Sequence, residues 1–415
     1  MSGKNRWGIA IAGILMQMAL GAVYAWSVFR TPLVKRFHWT ISQVTLTFTI
    51  CVFVVGFAAF FGGLWLNKRG PRVVALTAGF LYGAGVFLAS FSANHLLWLY
   101  FSYGLIGGIG LGLGYIVPIA VLLKWFPDKR GLITGIAVGG FGAGALVTAP
   151  LATRLIQSVG VLQTFAYLGI AYLIVVMATG WFMQNPPAGW VPEGWTPRAM
   201  QSRSGRDYVL GEALSTWQWW ALWLALFLNT SAGISVISQE SPMFQEIAKV
   251  GAVVAAGMVG VASLGNAVGR VFWAWVSDGI TRRWTFVIMY LLQVAFFWLM
   301  PATHSSAMLT ALTFVILMCY GGGFGTMPAF AADYFGSKNI GPIYGLMLTA
   351  WGFASAFGPL LIAHLREAGT SFATGLHVIA GIMLASILVP LVLRPPRAKA
   401  AGAAAMAAAP GGTGN

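Results

Sequence analysis

Twelve long apolar runs constrain what this 415-residue chain can fold into. Each run is long enough to cross the hydrocarbon core of a membrane as a helix, which takes about 20 residues. Only 8% of the residues are charged, whereas soluble domains carry about 25%. We therefore predict an all-α membrane protein with twelve transmembrane helices, whose main surroundings are the lipid bilayer. The predicted spans are 7–29, 42–66, 72–91, 96–123, 131–153, 161–183, 217–239, 251–276, 284–302, 306–330, 341–363 and 371–393.

The basic residues lie mostly in the breaks between these runs. The chain has 24 Lys and Arg against 9 Asp and Glu, a formal charge of +15. With the N-terminus inside, 17 of the 24 fall in cytoplasmic segments and six in outer segments. The positive-inside rule then predicts a multi-pass protein of the inner (cytoplasmic) membrane with both termini cytoplasmic. The excess of basic charge is an orientation signal, and we expect no nucleic-acid partner. Arg30, Lys35 and Arg36, assigned to the first outer loop, oppose the rule.

The longest polar connection lies between the sixth and seventh runs and divides the chain into two sets of six. The segment after the twelfth run is rich in Ala and Gly, a composition typical of disorder. We predict an N-terminal six-helix half over 1–183, a cytoplasmic linker over 184–216, a C-terminal six-helix half over 217–397 and a disordered tail over 398–415.

Two loops repeat at nearly the same offset. Asn67, in the loop after span two, lies 211 positions before Asp278, in the loop after span eight. Asp128 and Ser337, in the loops after spans four and ten, are 209 positions apart. The shared offset favours a duplicated six-helix unit, the way in which many transporters build two halves around a midplane site.

The loop after span two resembles the signature of the major facilitator superfamily through Gly63, Lys68, Gly70 and Arg72. Asn67 departs from it, because the signature has an Asp at this position. The resemblance implies the twelve-helix major facilitator fold, with two six-helix pseudo-repeats, and says nothing about the cargo.

A narrower resemblance covers nearly the whole chain. The segment 125–131 (Trp-Phe-Pro-Asp-Lys-Arg-Gly), Asn266-x3-Arg270 and Tyr344-Gly345 are similar to the oxalate:formate antiporter and monocarboxylate porter group. Membership of that group implies a secondary transporter of organic anions.

Arg270 is the residue that most strongly suggests a binding site. It lies within span eight, eight residues or about 12 Å before Asp278. A fixed cation at that depth costs at least a few kcal/mol, and no span has an Asp or Glu at comparable depth. A substrate carboxylate, which matches the guanidinium fork, would remove the cost. The alternative is that Arg270 bonds backbone carbonyls or extends to the inner interface. Asn266, four residues earlier on the same face, either helps to bind the anion or bonds a neighbouring helix.

The resemblance also implies the other walls of a substrate pocket. Tyr24, Tyr115, Tyr320 and Phe324 fall where the antiporter has cavity aromatics; plain helix packing is the alternative for each. The antiporter pairs its Arg with a Lys in span eleven, and that position is Trp351 here. One cation in place of two predicts a cargo with one carboxylate.

We therefore predict a carrier of short monocarboxylates, such as lactate or pyruvate, that works as a monomer by alternating access. We expect it to be no enzyme and to need no cofactor or metal. Proton symport is expected, with the substrate carboxyl, Glu240 or water as the proton carrier. The first alternative is an oxalate/formate-type anion exchanger, and the second is a membrane sensor that binds a carboxylate.

Overall fold

The computed structural model describes residues 6–126, 128, 130–187, 190–192, 207–336 and 339–396. This part of the chain is helical and contains no strand. Twelve of its helices are long and apolar enough to cross a membrane, which confirms the predicted number and fold class. The spans are α1 Arg6–Phe37, α2 Ile41–Leu66, α3 Pro71–Phe91, α4 Leu96–Trp125, α5 Gly135–Val159, α6 Val161–Trp181, α7 Trp217–Ile237, α8 Ala252–Ile280, α9 Arg282–Ala302, α10 Ser306–Phe335, α11 Ile340–Glu367 and α12 Phe372–Val392. Two short helices, Leu210–Leu214 and Glu240–Ile247, precede and follow α7.

The first span differs most from the prediction. It continues to Phe37 through a 3-10 segment at Gly21–Trp26. The assignment of Arg30 to an outer loop was therefore wrong, because its side chain is buried within the helix and only 7% exposed. Lys35 and Arg36 form the last turn of the same helix, where cations stabilise the negative end of the helix dipole.

Parts of the predicted domain organisation fall outside the described residues. These parts are the tail 398–415, residues 188–189 and 193–206 of the linker, and Ser337 in the repeated loop. The division into two halves and a linker stays a prediction. Across the predicted boundary, α2 packs along α11 and α5 packs along α8.

Two glycines of α10 set how closely this helix approaches α8. A Cβ on Gly321 would lie 2.1 Å from the carbonyl oxygen of Asn266, and one on Gly325 would lie 2.0 Å from that of Arg270. Side chains at these positions would force the helices apart. The glycines therefore hold the backbone of Asn266 and Arg270 directly against α10.

The two ends of the bundle can be distinguished without a membrane. The proximal end of the bundle is the end at which α1 begins, at Arg6, and α12 finishes, at Val392. The opposite end is the distal end. Hydrogen bonds join the predicted halves toward the distal end. Thr49 Oγ1 donates to the carbonyl oxygen of Ser355 at 2.9 Å, and Ser42 Oγ donates to Glu367 at 2.8 Å. The distal end is closed in this conformation.

Candidate functional site

Arg270 lies in the interior of the bundle, 1% exposed. Its Nε donates to Asn266 Oδ1 at 3.2 Å, and its Nη1 lies 3.5 Å from the hydroxyl of Tyr115. Nη2 is buried and has no partner. No Asp or Glu among the described residues forms an ion pair with this guanidinium. The group is therefore a buried cation with one free donor, and it does not extend to an interface.

Asn266 has one hydrogen-bonding group engaged and one free. Its carbonyl oxygen accepts from Arg270 one turn further along α8, which orients the guanidinium. Its Nδ2 is buried without a partner. Burying an unpaired donor costs about 1–3 kcal/mol, so Asn266 and Arg270 together hold two donors that an anion would satisfy.

Aromatic rings surround the guanidinium. The Cζ atom of Arg270 lies 4.8 Å from the ring centroid of Phe324 on α10. The indole of Trp351, on α11, lies 5.3 Å from Phe324 and 5.7 Å from Tyr115, centroid to centroid. The face of Phe324 partly stabilises the cation, and the surrounding rings exclude water from it.

Tyr24 and Tyr320 complete the cluster from α1 and α10. Their hydroxyl oxygens share a hydrogen bond of 2.9 Å, and the ring of Tyr320 lies 5.3 Å from Phe324. The structure thus brings all seven predicted site residues into one connected cluster, drawn from both predicted halves.

Phe141 on α5 belongs to the same cluster and was missed by the sequence analysis. Its buried ring lies 5.2 Å from Tyr24, 5.1 Å from Tyr115 and 5.9 Å from Trp351. The Arg270 Cζ atom lies 5.8 Å from its centroid. A signal was present, because Phe141 is the one large side chain in the run Gly139-Gly140-Phe141-Gly142.

Gln17 is a second missed residue. It is buried in α1 and its Nε2 donates to the backbone oxygen of Tyr115 at 3.0 Å, while its Oε1 has no partner. A lone amide within an apolar span is itself a signal of a polar interior contact.

The cluster has the chemistry of an anion site with apolar walls. It offers one permanent positive charge, two NH2 groups without a partner (Arg270 Nη2 and Asn266 Nδ2) and tyrosine hydroxyls. The described residues hold no group of three His, Cys, Asp or Glu placed to bind a metal.

Similarity to known proteins shows the family to which this chain belongs. The model of the Major Facilitator Superfamily matches residues 8–280 and 256–411. The chain therefore belongs to that superfamily and is a multi-pass membrane transporter rather than an enzyme. Its relatives within the superfamily include the oxalate:formate antiporter and monocarboxylate transporters.

Two relatives and one solved structure illustrate the likeness. The oxalate:formate antiporter of Oxalobacter formigenes is 27% identical over 94% of this chain and 93% of its own length. Apicoplast pyruvate carrier 1 of Toxoplasma gondii is 25% identical over 78% of this chain and 69% of its own. The fold is similar, with a TM-score of 0.67 and 14% identity, to an inward-facing bacterial homolog of the human lysosomal transporter Spinster, covering 94% of this chain and 96% of that one.

Proposed function

We propose that this protein is a secondary active carrier of short monocarboxylates, with lactate or pyruvate as its type of substrate. The observation that carries the proposal is the buried Arg270 with its free Nη2, next to the free Nδ2 of Asn266. A carboxylate placed there would receive a bidentate, charge-assisted pair of hydrogen bonds from the guanidinium. It would also satisfy the amide of Asn266.

Trp351 supports a substrate with one charge. Its uncharged indole lies within the aromatic cluster, 5.9 Å from Phe141 between ring centroids. A second carboxylate there would be buried against rings, and an unpaired buried charge costs about 3–5 kcal/mol. That cost corresponds to about two to four decades of affinity. The name of one relative includes pyruvate, which carries one carboxylate. The name of the other includes formate, with one carboxylate, and oxalate, with two, so the choice of one charge rests on Trp351.

Alternating access of the two six-helix halves accounts for transport. The site takes Tyr24, Tyr115 and Phe141 from one half and Arg270, Phe324 and Trp351 from the other. Rocking of the halves would expose this shared site to one end of the bundle and then to the other. We place the protein as a monomer in the inner (cytoplasmic) membrane with the proximal end cytoplasmic, so that the closed distal end faces outside.

A pH gradient tests coupling to protons. Purified protein in liposomes loaded at neutral pH should accumulate labelled lactate when the outside is made acidic, and less when the gradient is dissipated with a protonophore. Equal uptake with and without the gradient would contradict symport. Stronger competition by oxalate than by unlabelled lactate would favour the exchanger suggested by the antiporter relative.

Glu240 is our candidate for the proton-binding group. It begins the short helix after α7, it is 1% exposed, and its Oε1 has no partner. Burial raises the pKa of this carboxyl well above its usual value of 4.5. Glu240 therefore binds a proton when the distal end is closed and would release it when that end is open and hydrated. Between pH 4.5 and the raised pKa, lowering the pH therefore favours the closed state.

Replacement of Glu240 by Gln should remove this acid dependence. The amide mimics the protonated acid, so lactate uptake by Glu240→Gln should vary little over the pH interval in which uptake by the wild type rises with acid. The check is the initial rate of uptake against outside pH at a fixed gradient. Glu246→Gln is the matched control, because this carboxyl on the same short helix is more exposed and is paired with Arg366. Unchanged acid dependence in Glu240→Gln would assign the proton to another group.

A further inference from the structure

Arg30 is a second buried cation, near the distal end of α1. It is 7% exposed, and its Nη1 donates to Oε1 of Gln239 in the opposite half. Its Nε is buried without a partner. The acceptor in this contact is therefore a neutral amide, and the N–H at Nε has no acceptor.

A second guanidinium near Arg30, that of Arg366, has a carboxylate as its partner. Arg366 on α11 is paired with the carboxylate of Glu246 and also donates to the carbonyl oxygen of Thr370. Both guanidinium groups lie by the ring of Phe372, with Cζ 6.0 Å from its centroid for Arg30 and 4.3 Å for Arg366. Glu246 is thus paired with Arg366, whereas Arg30 has no ion pair among the described residues.

The contact between Arg30 and Gln239 crosses the boundary between the predicted halves. Gln239 also donates through Nε2 to Thr45 Oγ1 at 3.3 Å, again across that boundary. Opening of the distal end must separate Gln239 from both partners. Arg30 would then face the opened mouth without its acceptor Gln239, on a helix that also carries Tyr24 of the central cluster. Six residues separate the two, which is about 9 Å along the helix.

We propose that Arg30 forms a second anion-binding site at the distal mouth, which takes the carboxylate of an arriving substrate when the distal end is open, and that Gln239 displaces the substrate from it on closure. The ligand class, a small carboxylate with a short apolar body, rests on the proposed function. The amide oxygen of Gln239 stands in the closed state where a carboxylate oxygen stands in the open state. An ionised acceptor makes the stronger bond, so the anion competes effectively while the mouth is open. The face of Phe372 provides an apolar surface for its body.

Two variants separate an anion site from a simple closure contact. Arg30→Gln loses the cation and the contact, whereas Gln239→Ala loses the contact and keeps the cation. In intact cells, which present the distal mouth, initial lactate uptake by Arg30→Gln should show a KM raised about tenfold, the size of one charge-assisted bond. Its uptake should also lose dependence on ionic strength, since charge steering is screened by salt. Gln239→Ala should keep the wild-type KM, or lower it, and keep the dependence on salt.

The double variant Arg30→Gln with Gln239→Arg is the matched control. It returns a guanidinium to the mouth and an amide opposite it, so KM and salt dependence should recover toward the wild type. In inverted vesicles, which present the proximal mouth, Arg30→Gln and Gln239→Ala lose the same closure contact and should therefore have the same KM as each other. Transport by Arg30→Gln from this side also shows that the variant is folded. Equal changes of KM in Arg30→Gln and Gln239→Ala in intact cells would overturn the inference and reduce Arg30 to a closure contact. Absence of lactate transport by the wild type would instead overturn the proposed function.

Discussion

Arg270→Lys is expected to weaken lactate binding by about 10- to 100-fold while leaving the protein folded in the membrane. Lysine keeps the positive charge but loses the planar fork that binds a carboxylate through two parallel bonds. A hydrogen bond to a charged group is worth about 1.5–3 kcal/mol, and each 1.4 kcal/mol is about tenfold. The shorter ammonium would also lose the Nε contact that Asn266 Oδ1 now accepts. The measurement is KM for uptake, together with the Kd of the purified protein for lactate.

An exposed arginine gives the control for this substitution. Arg154 lies on the outer surface of α5, and Arg154→Lys should leave KM and Kd unchanged. Equal amounts of both variants in the membrane would show that folding is not the cause of any difference. Wild-type transport by Arg270→Lys would remove Arg270 from the binding site.

The spans and the central cation follow from the sequence because each depends on a local rule. A run of about 20 apolar residues has few alternatives to a membrane helix, so the twelve spans were predicted and are confirmed. A single arginine inside such a run needs a partner, so Arg270 was a candidate before any contact was known. Its position next to Asn266 follows from the helical repeat, because residues four apart lie on the same face of a helix.

Contacts between distant helices do not follow from local rules. Phe141 is an ordinary aromatic in a span until α5 packs beside α1, α4 and α11 and brings its ring against Tyr24, Tyr115 and Trp351. Charge alone also gave the wrong prediction at Arg30, because three basic residues within positions 30–36 suggested a loop. In the structure that arginine donates to Gln239, which lies 209 positions away in sequence.

The two buried arginines share a pattern that only the structure reveals. Arg270 and Arg30 each bond a side-chain amide oxygen, of Asn266 and of Gln239, and each keeps one nitrogen free. An amide oxygen holds a guanidinium in place without neutralising it. Both sites therefore stay charged and oriented without an internal carboxylate, which is what reversible binding of an anion requires.

If the cargo is a monocarboxylate, as proposed, Trp351→Lys is expected to make the site bind oxalate more tightly than the wild type does. The indole of Trp351 is buried against Tyr115 and Phe324, and its Nε1 has no partner. Lysine at this position restores the second cation that the antiporter resemblance implies. The ammonium would then pair with the second carboxylate of oxalate, recovering most of the about 3–5 kcal/mol that an unpaired buried charge costs. Inhibition of lactate uptake by oxalate, weak in the wild type, should strengthen by at least about 100-fold.

The same substitution should weaken binding of lactate. With one carboxylate for two cations, the ammonium at position 351 would stay unpaired and would repel the nearby guanidinium of Arg270, which raises the KM for lactate. Trp351→Met is the control, because it shortens the wall without adding charge, so it should bind neither acid more tightly. If oxalate competes no better in Trp351→Lys than in Trp351→Met, the charge at this position does not select the substrate. If the wild type already prefers oxalate, a single cation accommodates two carboxylates and the choice of cargo must depend on other groups of the cluster, with Gln17 and the tyrosine hydroxyls the first to examine.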